Sequence, residues 1–266
     1  MYKVKETPPI LLSEAKRWKT SMTVALVAAA FLAAYLYLEI DSVVALTSIP
    51  EFVAFFFGNF WPPEFGNTKH YLPLIIDTIF FAVIGTYISA ILAFVFGILL
   101  SDQTNKIGWL RFIVRFFLSF LRNVPILVWA ALLIYIFGIG NMVGLIALIF
   151  ATLGFLSRSY AESINEIAGS KLEALRASGA SYFQIIFHGL IPEFIPSWIN
   201  WTLFSFEINI RASAILGMVG AGGIGIMIQT NMRLFKYQEA ISLIFILVAM
   251  VLITEFCTNK LRKFIH

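Results

Sequence analysis

The sequence predicts an all-α fold: a polytopic membrane bundle of about six transmembrane helices. Of the 266 residues 60% are hydrophobic and only 13% charged. The apolar residues fall in long runs, not in the periodic stripes of a soluble core. Lysines and arginines, moreover, gather in alternate connecting segments, as cations do at the cytoplasmic face of a membrane. A net charge of +4 in a soluble protein would suggest nucleic acid. Here the placement of the charges accounts for it, and no nucleic-acid partner is expected.

The expected spans are roughly 20–38, 72–100, 112–137, 142–156, 194–216 and 240–256, most of them near the roughly 20 residues that a bilayer core requires. The second and third are long enough to tilt or bend, and Pro125 frees a backbone carbonyl inside the third. The fourth is short and can continue through Ser157 to Tyr160. The basic start followed by an apolar run resembles a secretory signal, but no small-residue cleavage site follows, so an uncleaved first span is expected.

Six spans put both termini on one side. Lys3, Lys5, Lys16, Arg17 and Lys19 precede the first span, Lys106, Arg111 and Arg115 lie between the second and third, Arg158, Lys171 and Arg176 between the fourth and fifth, and Lys260, Arg262 and Lys263 follow the last. Only Lys69, Arg233 and Lys236 fall opposite, so both termini are expected to be cytoplasmic. This yields a cytoplasmic tail over 1–19, one membrane domain over 20–258 and a second tail over 259–266. The external segment 41–71 is rich in aromatics and should hold an interfacial helix ended by Pro62 and Pro63. Asp77 and Thr78 are expected at the outer interface.

A polar island interrupts the apolar chain at 170–192. Ser170 followed by Glu173 has the capping-box spacing, so a helix of about eight residues should begin at Lys171. Gly179 can take the left-handed conformation that stops it. Ser181 and Gln184 repeat the spacing, and a second helix should run from Tyr182 until Pro192 breaks it. A capped helix in a cytoplasmic loop has a bland explanation as well as a functional one.

Glu173-Ala174-Leu175, with Gly179 six residues after the glutamate and Ile191-Pro192 further on, resembles the EAA loop of ABC importer permeases. Leu175 stands in place of the second alanine of that pattern, and Gly189 and Ile191 in place of its isoleucine and leucine. Phe60-Trp61-Pro62-Pro63-Glu64-Phe65, Arg122-Asn123-Val124-Pro125-Ile126-Leu127-Val128-Trp129-Ala130 and Gly179-Ala180-Ser181 are similar to segments of the phosphonate-type permeases. So is Phe206-Glu207-Ile208-Asn209-Ile210-Arg211 through Gly217-Met218-Val219-Gly220-Ala221-Gly222-Gly223-Ile224-Gly225.

The resemblance implies a type I ABC importer (MetI-like) permease fold in a bacterial inner membrane, with a cytoplasmic coupling loop at about 159–192. It implies ATPase docking by Glu173, Ala174, Leu175, Arg176, Ala177, Ser178 and Gly179. The implied partners are two ABC ATPase subunits that bind ATP and Mg, an external (periplasmic) substrate-binding protein, and a second permease copy in a homodimer. The implied cargo is a phosphonate or related reduced phosphorus oxyanion, with another small solute as the alternative. No cofactor is expected in this chain.

Ionisable groups within spans need a partner or a wet cavity. Glu207 and Arg211 stand four residues apart on the fifth span, a spacing that suits a local ion pair. Both, with Asn209 between them, are also candidates for the translocation pathway. Arg122 has two readings, an arginine reaching for the interface or a pathway residue. Gly220, Gly222, Gly223 and Gly225 formally match a dinucleotide fingerprint, but no soluble strand-helix unit surrounds them, so a tight external turn is expected. Cys257 is expected to be a small buried hydrophobe.

The sequence contains no G-x-x-x-x-G-K-[ST] phosphate loop, so ATP should be hydrolysed elsewhere. No nucleophile-base constellation and no Cys/His cluster points to catalysis or a metal. A stand-alone secondary transporter is a rival reading, and it would need a coupling-ion site. An integral-membrane enzyme is another, lacking a catalytic cluster.

Overall fold

Lipid offers no hydrogen bonds, so a chain this apolar can cross a membrane only as helices or a closed barrel. The computed structural model describes residues 14–39, 41–66, 68–167 and 170–264, and all regular structure among them is helical. The expectations placed on Lys3, Lys5 and the side chains of Arg17, Ser170 and Lys171 lie outside the described residues.

The chain divides into two compact units, Met1–Gly58 and Asn59–His266. The first contains α1 (Glu14–Tyr37), α2 (Ser42–Thr47) and nearly all of α3 (Ile49–Asn59). Asp41 caps α2 by accepting from the amides of Val43 and Val44, both at 3.0 Å. Tyr35 and Ser42 share a hydroxyl bond of 2.6 Å. The described side chains of α1 are almost all exposed, as suits a span whose solvent is lipid.

The second unit contains α4 (Thr68–Leu100), α5 (Gly108–Asn123), α6 (Ile126–Phe137), α7 (Asn141–Ile167), α8 (Ser170–Ala177), α9 (Tyr182–Gln184), α10 (Ile191–Leu216), α11 (Ile224–Arg233) and α12 (Tyr237–Arg262). Helix α7 is the central element, packed against α4, α5, α6 and α10. Its Leu148, Leu156, Tyr160 and Ile164 are fully enclosed. Many large apolar side chains point outward instead, among them Phe80, Tyr87, Phe112, Phe116 and Tyr135.

Five helical runs are long and apolar enough to span: Trp18–Tyr37, Lys69–Leu100, Asn141–Ile167, Tyr182–Ala221 and Tyr237–Arg262. The third expected span is not one helix. Helices α5 and α6 meet at 91° and count as a sixth crossing only when taken together. Val124 is extended there (φ −79°, ψ 121°), because the residue before proline is pushed out of the helical region and Pro125 has no amide to continue the ladder.

The helix expected to stop at Pro192 does not stop. From Tyr182 the chain passes through a π-helical turn, Ile185–Leu190, directly into α10, with Pro192 in its first turn. The π-helical turn ahead of it accommodates the amide that proline lacks, so the helix runs on. Helix α11 has no counterpart among the expected elements, and Cys257, expected to be buried, is exposed on α12.

Polar bonds tie the helices where lipid-like side chains could slide. Tyr160 and Thr202 share a hydroxyl bond of 2.7 Å, and Trp201 Nε1 donates to Ser163 Oγ at 3.0 Å. At the other end of the bundle, Thr78 Oγ1 accepts from the Ile224 amide at 2.8 Å, anchoring the start of α11 on α4.

Candidate functional site

The corner between α8 and α9 has the shape that its sequence dictates. Gly179 sits at φ +83°, in the left-handed region that costs other residues roughly 1–2 kcal/mol. The amide of Ala180 reaches back to the Leu175 carbonyl at 3.1 Å, and that of Gly179 to Arg176 at 3.1 Å, a Schellman closure of α8. On the far side Ser181 and Gln184 form the reciprocal capping box, with bonds of 2.8 and 3.4 Å.

Glu173, Ala174, Arg176, Ala177, Ser178 and Gly179 are exposed and Leu175 is half-buried. Ser178 Oγ donates to the Leu175 carbonyl at 2.9 Å. Arg176 Nη2 donates to the Gln103 carbonyl at 2.8 Å, tying α8 to the segment after α4. A Cβ built on Gly179 meets no atom within 4 Å. The corner is therefore open, polar, held at both ends and continuous with α10.

Inside the bundle the expected pathway residues separate. Glu207 accepts from Arg262 Nη2 at 2.6 Å, and Thr258 donates to the same carboxylate oxygen. The anticipated pair with Arg211 is absent: among the described residues Arg211 forms no ion pair. Two arginines compete for Glu207, and the one on α12 approaches it while Arg211 turns outward. Arg211 is exposed and borders an apolar groove of about 340 Å³ with Met218, Ile228, Leu247 and Val251. Asn209 is 3% exposed. Its amide donates to Thr86 at 2.8 Å and its carbonyl accepts from Thr152 at 2.9 Å, joining α10, α4 and α7.

Arg122, in the last turn of α5, borders a polar cavity of about 310 Å³ between α5 and α7. Arg115, Ser119, Arg158, Glu162 and Asn165 share that cavity. The glycine-rich segment is a tight turn: Gly220, Gly222 and Gly223 all have positive φ. Gly225 lies within α11, where a Cβ would stand 1.9 Å from the Ala214 carbonyl. Helices α10 and α11 therefore touch backbone to backbone, and no strand-helix unit that a dinucleotide fold needs is present among the described residues.

Residues 93–266 match the model of a family described as binding-protein-dependent transport system inner membrane component. The chain belongs to that family. The phosphite transport system permease protein PtxC of Stutzerimonas stutzeri is 30% identical over 247 residues, which are 92% of this chain and 90% of that one. The phosphate-import permease protein PhnE of Mycolicibacterium smegmatis is 29% identical over 202 residues, 76% of this chain but only 38% of that protein. Among solved structures, the MetNI methionine ABC transporter in an inward-facing conformation has a chain that superposes with TM-score 0.63 at 22% identity, covering 73% of this chain and 97% of that one.

The chain is thus a multi-pass permease component and not a catalytic subunit. From the sequence alone Arg115 and Arg158 mark only sidedness. Their signal was legible: Arg115, Ser119 and Arg122 repeat at helical spacing on α5. What the sequence could not show is that the face meets Arg158 and Asn165 of α7. The competing cation on Glu207, Arg262, was likewise out of reach because it comes from 55 residues away.

Proposed function

We propose that this permease carries a phosphonate or a related reduced phosphorus oxyanion across the bacterial inner membrane, after delivery by an external binding protein. The observation that carries the reading is the 30% identity with a phosphite transport permease over almost the full length of both chains. In the proposal two copies form a homodimer with two ATPase subunits, which bind ATP and Mg. Each ATPase takes up one α8 corner, residues Glu173 to Gly179. Supporting that role are the corner's exposure and its helical continuity into α10.

The cationic bias of the connecting segments supports cytoplasmic termini and a cytoplasmic α8. The domain limits then follow as a cytoplasmic tail over 1–19, a permease domain over 20–258 and a second tail over 259–266. ATP-driven closure of the motors rocks the two α8 corners together, and the rigid run through α9 and the π-turn transmits the motion to α10. Arg122 and Arg211, which form no ion pair among the described residues, are the pathway contacts for an anion. Glu207 and Asn209 hold the helices that carry them.

The test is uptake. The permease, its ATPase and its binding protein would be expressed in cells lacking their own phosphonate and phosphite uptake, with methylphosphonate, phosphite or methionine supplied in turn. Phosphorus-dependent growth is expected on methylphosphonate or phosphite. Growth on neither, with accumulation of labelled methionine instead, would overturn the assignment of cargo.

A further inference from the structure

We infer that the cavity between α5 and α7 is a binding site for a phosphate-class oxyanion, held by Arg115, Arg122 and Arg158. All three arginines line one space of about 310 Å³. At roughly 30 Å³ per water it has room for about ten waters, enough for an anion of five heavy atoms with part of its hydration.

The cavity's charge is unbalanced. Glu162 is the only acid among the described residues that line it, and it already accepts from Arg158 Nε at 2.7 Å. Neither Arg115 nor Arg122 has a hydrogen bond or ion pair among the described residues. Like charges brought together repel unless an anion joins them, and guanidinium forks match tetrahedral oxyanions better than point cations do.

The neutral groups are also donors. Asn165 Oδ1 accepts from Ser101 Oγ at 2.6 Å, while that hydroxyl accepts from the Gln103 amide at 3.2 Å. The bond fixes the Asn165 amide so that its NH₂ is the uncommitted end. Ser119 adds a hydroxyl. Donors from two helices outnumber what the two oxygens of a carboxylate can accept and suit the terminal oxygens of a phosphonate, phosphite or phosphate monoester.

The helix crossing is built for this approach. A Cβ at Gly154 would lie 2.9 Å from the Arg122 backbone nitrogen and 3.0 Å from the Leu118 carbonyl. Glycine there lets α5 close on α7 and brings Arg122 to the mouth of the same cavity. Two sources supply such an anion, a small oxyanion in transit or the phosphate of a lipid headgroup. Where the occupant is the cargo, the inference rests on the function proposed above.

The full-length permease, purified in a maltoside detergent free of phosphate, would be titrated with methylphosphonate by phosphorus NMR and, separately, with short-chain phosphatidylglycerol by native mass spectrometry. At least one probe should bind, and R122Q and R115Q should each weaken it about tenfold, one charge-assisted contact's worth, with added salt weakening it further. R233Q, outside the cavity, is the control, and S119A tests the site without changing its charge. Unaltered melting temperatures would show that the variants fold.

Methylphosphonate binding assigns the site to cargo, and phosphatidylglycerol binding alone assigns it to lipid. If neither probe binds, or the arginine variants bind as the wild type does, the inference is overturned. Lost uptake with intact probe binding counts against the transport reading and leaves this site standing. Intact uptake with no probe binding sinks the site alone.

Discussion

Arg262 Nη2 lies 2.6 Å from Glu207 Oε1, so the carboxylate of the fifth crossing is met by the last turn of α12 and not by Arg211 on its own helix. Both side chains of the pair are largely withdrawn from the surface, 12% exposed for Glu207 and 25% for Arg262. Such a pair is costly to break from one side because the survivor is left uncompensated. A double-mutant cycle of E207Q with R262Q should return a coupling of about 1 kcal/mol or more, against additivity within about 0.5 kcal/mol for E207Q with R211Q. Thermal unfolding in detergent reads both, and a stronger coupling to Arg211 would refute the assignment.

Asn209 joins three helices with two bonds from one side chain. Interhelical bonds of this kind contribute about 0.6 kcal/mol on average and about 1.7 at most in membrane proteins. N209A should therefore lower stability by about that range while leaving uptake per folded molecule near that of the wild type. Uptake lost without a change in melting temperature would return Asn209 to the pathway.

Gly154 places α5 against α7 so that a Cβ there would stand 2.9 Å from the Arg122 backbone nitrogen, closer than real Cβ contacts come, and 3.0 Å from the Leu118 carbonyl, tighter than most of them. Neither atom belongs to a flexible side chain that could swing aside. G154V should cost about 1–3 kcal/mol through this overpacking. At Gly58 a Cβ meets nothing within 4 Å, and G58A should be neutral or slightly stabilising. Equal melting temperatures for G154V and the wild type would show that the crossing relaxes freely.

Gly179 separates two causes of failure. Its positive φ strains most side chains, whereas the space around it is empty in the free chain. Asparagine tolerates that conformation and valine does not. If an ATPase surface seats against the corner, both G179N and G179V should uncouple ATP hydrolysis from uptake in the assembled transporter. If backbone strain is the whole effect, G179N should transport normally and only G179V should fail.

The local features proved readable because their causes are local. The eight-residue α8, the left-handed Gly179, the Ser181–Gln184 box and the helix stop before Pro62 all follow from residues within a few positions of one another. The break at Pro125 was foreseen only as a bend. Its 91° depends on what α5 and α6 each find to pack on: Leu118 and Leu121 in the cluster around Leu156 and Tyr160, and Ala130 and Leu133 on Val143 and Ala147. Pro192 misled for a related reason, since a helix stop and a first-turn proline look alike until the preceding turn is seen to be π-helical.

Hydropathy, cation placement and capping signals were enough to establish a helical membrane protein with a capped polar corner, because desolvation and backbone satisfaction act residue by residue along the chain. Which charges meet is a different kind of question. Glu207 had two candidate arginines, and the four-residue spacing favoured the one that the fold does not use. Arg115, Arg122 and Arg158 became one cavity only once Gly154 let two helices close. Partnership between groups distant in sequence is settled by packing geometry, and no local pattern carries it.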